Sequence, residues 1–229
     1  MSFCLFLAFG GGAASAAPMG ADDDARLFAL LRGMHGLGRA HIHTPASAHD
    51  PFLNDGDPPR LALQLYFARI DDLESAAARS GPLQALASDF PGLAGAALTH
   101  EAMVVRRFAV PEPAIAREPW CTYLVAYEGP AEDPNAWHEH YIAHHPAIMA
   151  KLPGIRELEI YTGVECIDFL PGERVRHLQR NKVAFDTPQA LTAALESPLR
   201  AEMRADFQRF PKFAGRVTHF PMATRALYR

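Results

Sequence analysis

Apolar positions along the chain alternate with period two in several short runs. Between those runs they recur with period 3.6, the pattern of strands separated by amphipathic helices. Residues 3–9 form an apolar run read as a first strand. Residues 22–34 set Leu27, Leu30 and Leu31 at helical spacing, behind Asp22, Asp23 and Asp24 at the end where carboxylates suit unpaired N–H groups. Residues 39–44 predict a second strand, and residues 49–59, with Pro, Asn, Asp and Gly, a loop. Leu61, Leu63, Leu65 and Phe67 share one face of a strand over 61–68. Asp71 and Glu74 have capping-box spacing for a helix reaching Arg79, and a strand over 97–108 follows.

The same order then returns. Strands are predicted over 121–127, 156–162, 182–185 and 217–228, the last bent at Pro221, which cannot donate to a ladder. Asp133-Pro134 and Thr187-Pro188 each pair a capping residue with Pro at the first helical position, opening helices to about 144 and 196.

The recurrence extends to residues. Phe90-Pro91-Gly92-Leu93-Ala94-Gly95, with Thr99-His100 behind it, is answered by Phe210-Pro211-Lys212-Phe213-Ala214-Gly215, with Thr218-His219. Ser80-Gly81-Pro82-Leu83 is answered by Ser197-Pro198-Leu199, and Cys4 and Cys121 fall in matching first strands. We read a tandem duplication with halves at 1–112 and 118–229. Each half has the order β-α-β-β-α-β of a ferredoxin-like unit, whose sheet leaves one face bare of helices. The expected fold is α+β, with the two repeats packed sheet to sheet so that each covers the other's bare face.

Composition narrows the function. A chain of 229 residues, 49% hydrophobic and 21% charged, is neither disordered nor fibrous. A net charge of −4 argues against nucleic acid as a partner. Three cysteines cannot form a closed disulfide set, so a reducing, cytoplasmic setting is expected. No run approaches the roughly 20 apolar residues of a bilayer span, so no membrane partner is expected. The run at 3–9 has no Lys or Arg before it and is read as a strand, although Ala14-Ser15-Ala16 resembles a signal-peptidase site. Gly10-Gly11-Gly12 lacks phosphate-loop spacing and is read as a connection, while Cys121 and Cys166 are read as small buried apolar residues.

Candidate chemistry centres on histidine, of which there are eleven. Four stand close together as His138, His140, His144 and His145. Helical spacing puts Trp137, Tyr141 and either His144 or His145 on one sheet-facing stripe with Ile148 and Leu152, and turns His138 and Glu139 away. Pro146 is expected to kink or end the helix there and leave room for a ligand. An imidazole beside such a gap suits proton transfer at neutral pH. The alternative is a structural histidine bonded to backbone. His140 and His144 have the i, i+4 spacing of metal ligands, but no third ligand is marked and no metal is expected. Arg39, His41 and His43 alternate on one strand face, which is either solvent-exposed or lines a cavity. His100 and His219, at equivalent repeat positions, are read as structural, and His35, His49 and His177 as surface residues near turns.

Tyr141, His145 and the run Leu152-Pro153-Gly154-Ile155-Arg156 resemble the EthD-like family of the dimeric α+β barrel superfamily. In that family Pro follows the histidine by two positions. Here that position is Ala147 and Pro is at 146, so His144 and His145 both stay in contention for the family role. The resemblance implies an intrachain version of a barrel that two chains normally build, hence a monomeric pseudo-dimer or a homodimer. It also implies a pocket between sheet and helices. Relatives of this kind include isomerases, cyclases, decarboxylases, cofactor-free monooxygenases and haem enzymes, and fold does not choose among them.

The expectation is an acid–base enzyme, a lyase, decarboxylase or isomerase, acting without a cofactor on a small aromatic or phenolic compound. His145 or His144 would move the proton. Trp137, Tyr141, Tyr161 and His41 would line the site, and Arg39 or Arg156 would hold a carboxylate. The alternatives are an oxygenase on a similar aromatic, with or without haem, and a non-catalytic ligand-binding module.

Overall fold

The computed structural model describes residues 2–10, 19–48, 50, 55–115 and 117–228. Gly11, Gly12, Ala14, Ser15, Ala16 and His49 lie outside them. The chain runs β1 (Ser2–Gly10), α1 (Ala21–Gly33), β2 (Leu37–Pro45), β3 (Leu61–Phe67), α2 (Ile70–Ala76), β4 (Ala97–Phe108), β5 (Trp120–Tyr127) and α3 (Pro134–Met149). It continues with β6 (Ile155–Gly163), the two-residue β7 (Glu173–Arg174), β8 (Gln179–Phe185), α4 (Pro188–Leu195), α5 (Leu199–Phe207) and β9 (Val217–Tyr228).

Eight strands form one closed antiparallel barrel in the order β1-β3-β2-β9-β5-β8-β6-β4, with β4 returning to β1. The short β7 adds to β4 in parallel. The expected face-to-face sheets are therefore joined edge to edge, through β2 with β9 and β4 with β6. Closure satisfies backbone groups that open sheet edges would leave unpaired. Within the first half the strand order is β4-β1-β3-β2, and within the second β9-β5-β8-β6. The ladders slip between Leu37 and Arg39 in β2 and between Ile155 and Glu157 in β6. A glycine in the left-handed region stands just before each strand, Gly36 at φ 72° and Gly154 at φ 74°, where a side chain would be strained.

Alternation divides each strand between two environments. Outward residues such as Leu5, Leu7, Leu63, Leu65 and Phe67 pack under the helices of the first half. Tyr123, Val125, Val183 and Phe185 do so in the second. Inward positions hold a polar cluster beside apolar side chains such as Phe6, Met103 and Met222. Lys182, fully buried in the barrel, contacts His41 Nδ1 at 2.8 Å, Tyr66 Oη at 3.0 Å, Glu157 Oε2 at 3.0 Å and Glu159 Oε2 at 3.1 Å. Arg39 bridges Glu157 at 2.9 Å and Glu159 at 2.7 Å. Burial by itself would raise the Glu159 carboxyl, but Lys182 and Arg39 outweigh it and hold the group well below the usual carboxylate range. Cys4 lies in this interior with Tyr66 and Tyr161, whereas Cys121 faces the helices. The two cysteines lie on equivalent strands but on opposite faces.

Some predicted boundaries move. Helix α3 does not stop at Pro146 but runs through it to Met149. Trp137, Tyr141, His145 and Met149 are all buried along one side, and that packing outweighs the one backbone bond Pro146 removes. Asp133 caps α3 by accepting from the Asn135 and Ala136 N–H groups, and Thr187 caps α4 through Ala190. The Asp71 capping box does not form. Helix α2 starts at Ile70, and Glu74 accepts from the Ile167 N–H instead. The final strand is continuous through Pro221. Helix α5 was not anticipated from the sequence.

Among the described residues no helix is long and apolar enough to cross a membrane.

Candidate active site

The outward face of the second half does not fill. A cavity of about 490 Å³ lies between that face and helices α3, α4 and α5. Its wall is mostly apolar, with Val125, Met149, Leu152, Val183, Leu191, Leu195 and Met203. Set into it are two imidazoles, His145 from α3 and His219 from β9, with Asn181 on the strand floor.

Each imidazole is tied by one nitrogen to a carboxylate distant in sequence. His145 Nδ1 is 2.8 Å from Asp206 Oδ2, which α5 supplies. His219 Nδ1 is 2.9 Å from Asp55 Oδ2, which comes from the β2–β3 connection of the first half. An ionised carboxylate only accepts, so in each pair Nδ1 carries the proton and Nε2 keeps its lone pair. Burial lowers both histidines from the ordinary imidazole value, and Asp206 and Asp55 oppose that lowering without reversing it. Both rings are therefore neutral near pH 7, the form that accepts a proton.

The rim is held by a third carboxylate. Asp50 Oδ2 accepts from Tyr123 Oη at 2.8 Å and from Arg200 at 2.9 Å. Burial first, and Asp50 second, raises the Tyr123 phenol, which stays protonated. The arrangement offers two neutral bases, or a base and the acid it becomes after proton transfer, in a mostly apolar enclosure.

The predicted site residues are scattered. His145 lines the cavity. His144 is exposed on the other side of the helix, its Nδ1 2.8 Å from the His140 carbonyl. Tyr141 and Trp137 are buried behind His145, stacked with centroids 5.1 Å apart, and do not reach the cavity wall. Arg39, His41 and Tyr161 lie inside the barrel, on the opposite face of the sheet. Arg156 pairs with Asp186 and Glu112 near the surface. Asp206, Asp55 and Asn181 carry no signal in the sequence pattern, and His219, expected to be structural, lines the cavity. The repeated Thr-His pair was the one signal available, and it marks both a cavity histidine and its first-half counterpart. His100 in that counterpart is buried, with Asp168 Oδ1 3.6 Å away.

Among the described residues no group of three or more His, Cys, Asp or Glu is arranged to hold a metal ion. A haem iron would find an imidazole Nε2 at His145, backed by a carboxylate, so the donor set fits that group too and would then supply redox chemistry.

No protein-family model matches the chain, and no curated protein sequence does. Solved structures do. An anthrone oxidase-like protein aligns with TM-score 0.63 at 13% identity, over 99% of this chain and 92% of the other. A proposed monooxygenase from Fusobacterium nucleatum aligns with TM-score 0.62 at 8% identity, over 100% and 94%. Another from Lactobacillus acidophilus gives 0.55 at 9% identity, over 99% and 96%. This likeness shows the fold. The chain shares their fold, with an eight-stranded α+β barrel closed by strands of one polypeptide.

Proposed function

We propose that the cavity is the active site of an enzyme that removes a proton from a small aromatic or phenolic compound. The observation that carries this reading is the pair of neutral imidazoles, each fixed through Nδ1 by a carboxylate, in one mostly apolar enclosure of drug-like size. His145 acts as the base through Nε2. Asp206 holds its tautomer and stabilises the imidazolium that forms. His219 serves as the second proton-transfer group across the floor. Transfer to His145 and return from either histidine gives an isomerase, and expulsion of a β leaving group from the carbanion gives a lyase; in a decarboxylase His145 takes the phenol proton, carbon dioxide leaves, and an imidazolium returns a proton to the ring carbon. No cofactor is required for those steps.

The Tyr141–His145 spacing and the run Leu152-Pro153-Gly154-Ile155-Arg156 support an EthD-like assignment for the second half. The matching strand orders, ladder slips and strand-entry glycines support two ferredoxin-like repeats, at 1–112 and 118–229, derived by duplication.

A second reading draws on the anthrone oxidase-like and monooxygenase-like neighbours. The same base would open an oxygenation. Deprotonation of an activated CH₂ gives a carbanion, and dioxygen then takes its electrons, so that CH₂ and O₂ become C=O and H₂O. One experiment addresses both readings. A panel of hydroxyaromatic compounds is incubated with the protein in deuterated buffer under nitrogen, then under air with an oxygen electrode. Deuterium incorporation that His145→Ala abolishes is the expected result. Oxygen uptake in the second stage would select the oxygenase. A protein that exchanges no proton and converts no compound would sink the proposal and leave a binding module. A Soret band in the purified protein would overturn its cofactor-free form.

A further inference from the structure

The two halves differ most informatively on one strand. On β3 the helix-facing residues are Leu61, Leu63, Leu65 and Phe67. On β8 they are Gln179, Asn181, Val183 and Phe185. In the ladders Leu63 pairs with Leu7 of β1, and Asn181 with Val125 of β5, so the two residues hold equivalent places. The barrel thus accepts a leucine there, and packing does not require an amide. A buried amide without its full set of partners costs stability, which leaves the amide needing a reason.

Its geometry supplies one. Asn181 is 3% exposed and lines the cavity. Its Nδ2 donates to Tyr141 Oη at 2.7 Å. The Tyr141 ring packs edge-on against Tyr127 with centroids 5.6 Å apart, and burial keeps its hydroxyl protonated. The Tyr141 oxygen accepts from Asn181 Nδ2, which leaves Oδ1 as the other polar end of the amide. Asn181 Oδ1 is buried and has no hydrogen-bond partner among the described residues. It is an acceptor without a partner, on a residue that lines a mostly apolar cavity. His219, paired with Val125, lies two strands away in the same row, roughly 10 Å by strand spacing.

We propose that Asn181 is a specificity-determining residue that accepts a hydrogen bond from a hydroxyl of the bound compound. The site therefore takes a hydroxyaromatic and rejects its methyl ether. This rests on reading the cavity as the active site. A hydroxyl donates to Oδ1, whereas an ether oxygen only accepts and would leave Oδ1 unpaired against a methyl group.

The test is equilibrium binding, which needs no turnover. Full-length protein is titrated with 2-naphthol and with 2-methoxynaphthalene, followed by calorimetry. The expected result is tighter binding of the naphthol by roughly 10- to 100-fold, the range one hydrogen bond into a desolvated site supplies. In Asn181→Leu, which copies Leu63, the preference is expected to vanish while the ether still binds. Equal affinities in the unaltered protein would overturn the proposal yet leave the cavity an aromatic site. So would a preference that persists in Asn181→Leu. Binding of neither compound would overturn both this inference and the reading beneath it. The unaltered protein alone decides the first comparison, so a variant that fails to fold does not rescue the idea.

Discussion

Asp206 and His145 lie on different helices and meet at 2.8 Å through Nδ1 of the ring. The carboxylate opposes the burial that lowers this histidine. Removing its charge with Asp206→Asn therefore lowers the imidazole further and leaves its tautomer unfixed. We expect the plateau of kcat/KM to fall by about 10²- to 10⁴-fold, as for other oriented bases that lose their partner. The acidic limb should move to lower pH, because the base loses its proton-free form only at lower pH. A pH–rate profile checks both effects, and a limb that moves upward would contradict the assignment.

His144 and His145 are neighbours in sequence with opposite expected roles. His145 lines the cavity and His144 faces out. His144→Ala should keep turnover and stability near those of the unaltered protein, within about 0.5 kcal/mol in stability. His145→Ala should lose most turnover. Steady-state rates on the two variants separate them, and a comparable loss in His144→Ala would put the base in the wrong place.

Lys182 holds the barrel interior together. With Glu157 and Glu159 near 3 Å, Lys182→Met leaves the buried Glu159 and the half-buried Glu157 short of their cation. Removing one partner of such a pair costs about 3–5 kcal/mol. Denaturant unfolding should show that loss, and adding Glu159→Gln to Lys182→Met should restore part of it. A loss below about 1 kcal/mol would mean that Arg39 suffices.

His43 predicts acid sensitivity. Burial, with Lys182 behind it, pushes its imidazole down to about 3, against the raising effect of Gln64. The folded state keeps His43 neutral while the unfolded chain takes up a proton below its ordinary value near 6.5. Its contribution is complete above that pH, is lost as the pH falls toward 3, and changes no further below. The slope from this residue is about 1.4 kcal/mol per pH unit. Unfolding free energies across pH 3–7 should flatten by that amount in His43→Gln. An unchanged slope would show that His43 is protonated in the folded barrel.

The strands were legible because alternation is local. Leu61, Leu63, Leu65 and Phe67 declare a face without help from the rest of the chain. The caps at Asp133 and Thr187 were legible for the same reason. Asp71 failed because Glu74 was drawn to a backbone N–H at residue 167, across 93 positions. Half of the site was legible in the stripe ending at His145. The rest depends on contacts of long reach, Asp206 to His145 across 61 residues and Asp55 to His219 across 164. The strand holding Arg39 and His41 did show a polar face. Which side of the sheet that face lined followed only from closure of the barrel.

The carboxylate on His219 is carried by the other half of the chain, and His100 faces Asp168 in the reverse direction. Such an exchange between two identical chains would bind both sites to one sequence, so every change would be made twice. Within a single polypeptide the two copies of the exchange are free to diverge. One face is filled with leucine, while the other encloses the cavity. The same linkage makes the second half dependent: cut away from residues 1–112, it would keep its histidines and lose the partner that sets one of them.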